Sequence, residues 1–449
     1  MSSLPQQPEQ GHLVRRLGVR DAALIVMGGI IGSGIFMNPS LVAKQLHTAP
    51  LILLAWGIGG LIAMLGAALF AELAGRRPEN GGLYAYMRDA YHPVVAFVYG
   101  WTLLLVSQSG GMAASAVTFA AYFGTLTHLH VDARFVAAFI IAVFTLINCF
   151  GVRSGANTQN AFMLAKIAAI LGVVLAGLAV THPASAVTLS PPPNVFGAIG
   201  LALVPVIFAY SGWQTSSFMS GELRDPGRTL ARGMLTGVAG VLVLYLAVNA
   251  VSIRALGEAG LAATNTPASA IVQSVIGPVG GEVMAAIVAL STLGFISNQI
   301  LTSPRVYYQM AADGTFFSAL ANVNPRTNVP VLAITLQGIV AMVIGFSGQY
   351  DAIQNYVTSV DWVFFGLSAL ALIIFRTRDR SNGVPAPGFT MPGHPWSTML
   401  FLIIAWSMVV DVFLRSPIDA LIGLGILVSG IPIYWMFALR TRRSATDVA

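Results

Sequence analysis

Long apolar stretches separated by short polar loops fill almost the whole chain. A helix needs roughly 20 apolar residues to cross a hydrocarbon layer of about 30 Å. The stretch at 269–310 is too long for one simple span and is predicted to hold a re-entrant or tilted segment before the span itself. The pattern therefore predicts an all-α integral membrane protein of twelve spans, at residues 21–44, 49–74, 94–126, 133–151, 158–181, 195–219, 230–254, 269–310, 329–347, 352–376, 396–414 and 418–439.

The basic residues predict the orientation of these spans, since cytoplasmic loops of membrane proteins are rich in Lys and Arg. Only Lys44, Arg134, Arg254 and Arg415 fall on the side opposite the termini, and Lys166 falls within a span. Both termini are therefore predicted to be cytoplasmic, with the chain in the cell inner membrane. Residues 1–20 lack the apolar core of a signal peptide and are predicted to be a tail. One transmembrane domain at 21–440 and a second tail at 441–449 complete the predicted organisation.

Composition narrows the class further. The chain is 56% hydrophobic and 9% charged, whereas a soluble domain carries about 25% charged residues. The net charge of +6 is accounted for by topology, so no nucleic-acid partner is expected. A single cysteine, Cys149, excludes an internal disulfide, and neither CxxC nor HExxH spacing occurs, so no metal or cofactor is expected. No nucleophile, acid pair or pore-lining polar ring favours an enzyme or a channel.

Span 1 carries four glycines within residues 27–36 (MGGIIGSGIF), each costing a helix about 1 kcal/mol relative to alanine. Broken helix is tolerated inside a membrane only where the backbone lines a cavity or packs in protein. Backbone N–H groups of Gly32, Ser33 and Gly34, following Ile30 and Ile31, would then form a positive pocket suited to a carboxylate. Close helix packing is the alternative explanation of these glycines.

Span 6 also contains an interruption, within residues 205–217 (PVIFAYSGWQTSS). A proline within the span removes one backbone hydrogen bond, and carbonyls near Phe208 and Ala209 could accept from an ammonium group. Tyr210, Ser211 and Gln214 make the following segment polar. Two interrupted spans five apart are typical of a transporter built from inverted repeats. The repeats would be residues 21–181 and 195–376, with accessory spans at 396–439, and the site would bind both ends of a zwitterion.

Two charged residues lie deep within predicted spans. Lys166 is about 12 Å from the end of span 5, at 1.5 Å per residue, which is too deep for comfortable snorkelling unless the span begins later. Asp361 lies within span 10 and is expected to face the interior or a water-filled cavity. It is either a wall of the site or a partner for an interior donor. Intramembrane charges are functional candidates by default, and proton coupling through either residue is conceivable.

The ordered motifs resemble those of the amino acid–polyamine–organocation (APC) superfamily, and within it the L-type amino acid transporters and their bacterial relatives. The resemblance runs from about residue 17 to 440. It rests on residues 29–36, on Glu72 with 78–86 (PENGGLYAY), and on 157–166, 208–214 (FAYSGWQ), 222–226 (ELRDP) and 305–314.

This resemblance implies a LeuT-like fold, a 5+5 inverted repeat with discontinuous spans 1 and 6, working by alternating access. It implies that Gly32, Ser33 and Gly34 bind the substrate carboxylate, that carbonyls of spans 1 and 6 bind its amine, and that Phe208 closes over it. Lys166 matches a lysine that stands where sodium-coupled relatives hold a cation, which implies sodium independence. Position 361 carries an acid, and Gln214 stands where an asparagine is commoner in the family. Both differences bear on which substrate side chains the site prefers.

The leading hypothesis is sodium-independent exchange of neutral L-amino acids. A proton-coupled symporter and a non-transporting amino acid sensor are the alternatives. Animal members of the family carry an external cysteine between spans 3 and 4 that links a heavy chain. The corresponding loop here, residues 125–134, contains no cysteine, so no disulfide-linked partner is expected.

Overall fold

The computed structural model describes residues 15–129, 131–180, 190–347, 350–415 and 417–446. Parts of both predicted tails, residues 1–14 and 447–449, lie outside the described residues, as does the end of predicted span 5 at residue 181.

The described chain is built almost entirely from helices, as the apolar pattern predicts. A π-helical turn at Leu103–Ser107 joins α5 to α6, and 3₁₀ segments occupy Trp213–Glu222 and Ser318–Ala321. The α-helices are α1 Val19–Ile30, α2 Gly34–Leu46, α3 Ala49–Arg76, α4 Leu83–Ala90, α5 Pro93–Thr102, α6 Gln108–Thr127, α7 Ala133–Cys149, α8 Val152–Ala179, α9 Val195–Tyr210, α10 Pro226–Ala263, α11 Pro267–Ile276, α12 Val279–Thr302, α13 Pro304–Ala312, α14 Val331–Ser347, α15 Tyr350–Ser381, α16 Trp396–Arg415 and α17 Pro417–Thr446.

Nine helical segments of the described chain are long and apolar enough to cross a membrane, and ten if the bent pair α1–α2 forms one span. Two shorter apolar helices, α7 and α14, lie where spans 4 and 9 are predicted. The long stretch at 269–310 divides into α11, a turn at Gly277, α12 and α13. A multi-helix apolar architecture is thus confirmed, while the number twelve stays a prediction.

Both predicted interruptions are present. Helix α1 ends at Ile30 and α2 begins at Gly34, with a bend of 50° between them. Helix α9 ends at Tyr210, and the chain continues as the 3₁₀ segment after Gly212. Gly212 has a φ of 116°, a conformation that side chains with a Cβ rarely adopt. We call residues 31–33 and 211–212 the two breaks.

Gly29, just before the first break, packs directly against Gly212 in the second break. A Cβ added at Gly29 would lie 2.7 Å from the carbonyl oxygen of Gly212 and 2.7 Å from the Thr215 hydroxyl. A Cβ added at Gly212 would overlap the carbonyl group of Gly29. Only hydrogen at both positions lets the end of α1 approach the second break this closely.

Gly29→Ala should therefore destabilise the protein by about 1–3 kcal/mol, the usual cost of overpacking a tight contact. Thermal unfolding of the purified protein in detergent measures the effect. Gly57→Ala is the matched control, because a Cβ at this helical glycine meets nothing within 4 Å. Equal midpoints for the two variants would show that the breaks are not tightly packed.

Backbone hydrogen bonds and an ion pair hold residues 15–18 against the helix bundle. Leu17 and Leu223 form an isolated β-bridge, and the N–H of Arg16 donates to the Glu222 carbonyl at 2.9 Å. The Glu222 carboxylate pairs with Arg305 at 2.6 Å. These contacts tie the residues just before α1 to the end of the 3₁₀ segment and to α13.

Glu72, the acid of predicted span 2, belongs to a second buried ion cluster that links α3 to α15. Glu72 pairs with Arg76 at 2.8 Å and with Arg376 at 2.5 Å, and it accepts from the N–H of Met391 at 2.7 Å. Every oxygen of this carboxylate therefore has a partner. A fully satisfied buried cluster holds helices together and leaves no group for a ligand.

Candidate functional site

A cavity of about 190 Å³ lies beside the two breaks. At about 30 Å³ per water in the liquid, this is the volume of about six waters. Both breaks, α6, α12 and α15 contribute its walls. The lining residues are Gly29, Ile30, Gly32, Ser33, Gly34, Ser107, Gln108, Gly110, Gly111, Ala114, Ser115, Thr118, Phe208, Ala209, Ser211, Gly212, Gln214, Thr215, Thr292, Phe295, Gln299, Asp361 and Trp362.

The first wall is the start of α2. Gly32, Ser33 and Gly34 line the cavity, and the first N–H groups of any α-helix lack an acceptor within the helix. The helix dipole adds partial positive charge at this end. This wall can therefore donate hydrogen bonds to a carboxylate, and carboxylate binding here stays a prediction.

Lys166 contacts the same break on the side away from the cavity. Its side chain is 3% exposed, and its Nζ donates to the carbonyl oxygen of Ile31 at 2.7 Å. Gly294 on α12 leaves the room for it, since a Cβ there would lie 2.6 Å from the lysine Cε. Neither Lys166 nor Ile31 lines the cavity, so the ammonium group supports the break instead of facing a ligand.

The second wall is the end of α9. Phe208, Ala209, Ser211 and Gln214 line the cavity, and Phe208 is 37% exposed. The Phe208 carbonyl accepts from the N–H of Ser211 at 3.1 Å. A carbonyl oxygen has two lone pairs, so this atom keeps the capacity to accept from an ammonium group.

Tyr210 points away from the cavity, unlike its predicted neighbours. Its ring packs against Tyr245 at a centroid distance of 4.9 Å and against Trp56 at 5.9 Å. Successive helical residues are about 100° apart at 3.6 residues per turn, so Phe208 and Tyr210 face nearly opposite directions. The Tyr245 hydroxyl also donates to the Ala209 carbonyl at 3.2 Å, bracing the break from outside.

The third wall contains Asp361, the acid predicted within span 10. Its Oδ1 accepts from the Ser107 hydroxyl at 2.7 Å. Ser107 is the last residue of the π-helical turn, a feature that is frequent at functional sites. Asp361 thus lines the cavity and also has an interior donor, while its role in substrate binding stays a prediction.

The sequence does not mark several residues of this wall or of the wall formed by α12. Ser107, Gln108, Thr292, Phe295 and Gln299 line the cavity, yet no break or charge marks them in the sequence. The small polar run around Gly110 and Gly111 was the available signal. It is indistinguishable from ordinary close helix packing without the partner helices.

The described residues contain no group of three or more His, Cys, Asp or Glu side chains placed to hold a metal ion. Helices of membrane-spanning length surround a cavity with hydrogen-bond donors on one break and acceptors on the other. The apolar helices define a multi-pass membrane protein.

The chain belongs to the amino acid permease family, which matches residues 17–437, within the APC superfamily. It is 29% identical over 382 residues to the b(0,+)-type amino acid transporter 1 of Oryctolagus cuniculus, covering 82% of this chain and 78% of that protein. It is 28% identical over 438 residues to the human large neutral amino acids transporter small subunit 2, covering 94% and 80%. The resemblance found in the motifs is thus confirmed. Relatives of this kind are amino acid transporters, not enzymes.

Proposed function

We propose that this protein exchanges neutral L-amino acids across the cytoplasmic membrane, independently of sodium and by alternating access. The observation that carries the proposal is the cavity lined by both breaks. Donors at the start of α2 suit a carboxylate, and carbonyls at the end of α9 suit an ammonium group. The names of the relatives, which include large neutral amino acids, support the same substrate class.

The remaining features of the proposal follow from this site. Spans 1–5 and 6–10 form inverted repeats, spans 11 and 12 are appended, and both termini are cytoplasmic. The pairing of the two breaks, each in the first span of its repeat, supports this arrangement. Lys166 supports sodium independence, because its ammonium group already occupies an acceptor of the broken segment that a cation would use. The absence of a cysteine from residues 125–134 supports function without a disulfide-linked heavy chain.

Uptake of radiolabelled leucine into proteoliposomes tests the proposal. We expect uptake to rise several-fold when the vesicles are preloaded with leucine, and to be the same in sodium and choline buffers. Vesicles without protein are the control. Uptake that requires sodium would contradict the proposal, as would equal uptake into empty and preloaded vesicles.

Proton-coupled symport is the second candidate, because the half-buried Asp361 carboxylate lines the cavity and Lys166 contacts the break. Its signature differs from that of exchange. An imposed pH gradient, with the outside acidic, would drive leucine into empty vesicles, and a protonophore would abolish this uptake. A binding protein that only senses amino acids would show leucine-dependent thermal stabilisation with no uptake under either condition.

A further inference from the structure

The cavity wall formed by Asp361 is chemically unlike the two breaks. Among the described lining residues, Asp361 is the single charged side chain. Its only partner in the described part of the chain is the Ser107 hydroxyl, whereas a carboxylate offers about four acceptor positions. Asp361 is half-buried, and a carboxylate partly removed from water is stabilised by a counter-charge. This wall therefore presents an unbalanced negative charge to whatever fills the cavity.

Two buried glutamines that line the same cavity also have unpaired side-chain oxygen atoms. Gln214 is 6% exposed and Gln299 is 4% exposed. Both line the cavity, and the Oε1 atom of each has no hydrogen-bond partner among the described residues. Buried polar atoms are normally hydrogen-bonded, so an unpartnered pair at a cavity indicates a ligand or water. Together with Asp361 they supply acceptors from three helical elements.

The carboxylate is held in place by the π-helical turn. Ser107 ends that turn, and its hydroxyl occupies one oxygen of Asp361 and leaves the other open. Ser107 is thus a positioning residue, while Asp361 is the group that would touch a ligand.

We propose that Asp361 forms a subsite for a positively charged side chain, so that amino acids of the lysine class are substrates alongside neutral ones. The inference rests on the proposed function, because the two breaks must first bind the α-carboxylate and α-ammonium groups. A neutral zwitterion leaves Asp361 without a counter-charge. A side chain that ends in an amine supplies that charge and donors for the open carboxylate oxygen. Charge-assisted hydrogen bonds of this kind are about twice as strong as neutral ones.

Competition against labelled leucine uptake tests the subsite, with lysine and norleucine as competitors. Norleucine has the straight side chain of lysine without its amine. In Asp361→Asn, the lysine concentration for half inhibition should rise by about 10- to 100-fold, the loss expected for one charge-assisted bond. Inhibition by norleucine should change by less than about threefold. Ser107→Ala should give a smaller change in the same direction.

Asp411→Asn is the matched control, since this acid pairs with Arg415 on α16 and does not line the cavity. Lysine inhibition of that variant should equal that of the wild type. Thermal stabilisation of purified wild-type protein by lysine and by norleucine gives a second measurement that needs no variant to fold.

Three outcomes would overturn the subsite. If lysine neither competes nor stabilises the wild type while norleucine does both, the subsite is absent and the proposed function stands. If Asp361→Asn weakens lysine and norleucine equally, the carboxylate binds the α-ammonium group or only supports the fold. If no amino acid is taken up or stabilises the protein, the proposed function fails together with the subsite.

Discussion

Replacing Lys166 with methionine is expected to lower the initial rate of amino acid uptake by about 10- to 100-fold. The ammonium group donates to the Ile31 carbonyl at 2.7 Å, and a hydrogen bond to a charged group is worth about 1.5–3 kcal/mol. Methionine has a similar volume and is apolar, so it fills the space beside Gly294 without the bond. The carbonyl would lose its donor, and the break would no longer be held in the conformation that lines the cavity.

Initial rates of leucine exchange in proteoliposomes, normalised to the amount of reconstituted protein, measure this effect. Lys44→Met is the matched control, because Lys44 is exposed and bonds only to the side chain of Asn265 among the described residues, at 3.0 Å. Sodium stimulation of Lys166→Met but not of the wild type would support the view that the ammonium group replaces a cation. Wild-type rates in Lys166→Met would remove the lysine from any role in transport.

Replacing Arg305 with methionine should destabilise the protein by about 3–5 kcal/mol, the cost of removing one partner from a buried ion pair. The side chains of Arg305 and Glu222 are 1% and 0% exposed, and their shortest separation is 2.6 Å. The variant leaves the Glu222 carboxylate buried without a counter-charge at the point where the N-terminal segment, the 3₁₀ segment and α13 meet.

A double-mutant cycle separates the charge from the packing. Arg305→Met combined with Glu222→Gln should recover part of the lost stability, because no unpaired charge remains. The partly exposed pair Arg415–Asp411, at 2.7 Å, supplies the control: Arg415→Met should cost no more than about 1 kcal/mol. Thermal unfolding in detergent measures the wild type, the two single variants, the double variant and the Arg415→Met control. Additive effects of the two buried substitutions would contradict a direct coupling between Arg305 and Glu222.

The sequence alone determined the features that depend on the bilayer as a solvent. Apolar length sets which segments can cross, so the helical class and most helix positions could be predicted. Glycine and proline clusters weaken a helix through local backbone chemistry, which is why the breaks near Gly32 and Ser211 could be located. Intramembrane charge is expensive, and this cost alone marked Lys166 and Asp361.

Only the tertiary structure decided which way side chains point and what they meet. A helix that is apolar on all sides carries no pattern that distinguishes lipid from protein or cavity, so the outward turn of Tyr210 and the cavity-lining role of Gln299 could not be predicted. Glu222 and Arg305 are 83 residues apart in the chain, and nothing local pairs them. Lys166 was singled out by its cost, but its contact with Ile31 depends on how α8 packs against the break, which is a property of the assembled bundle.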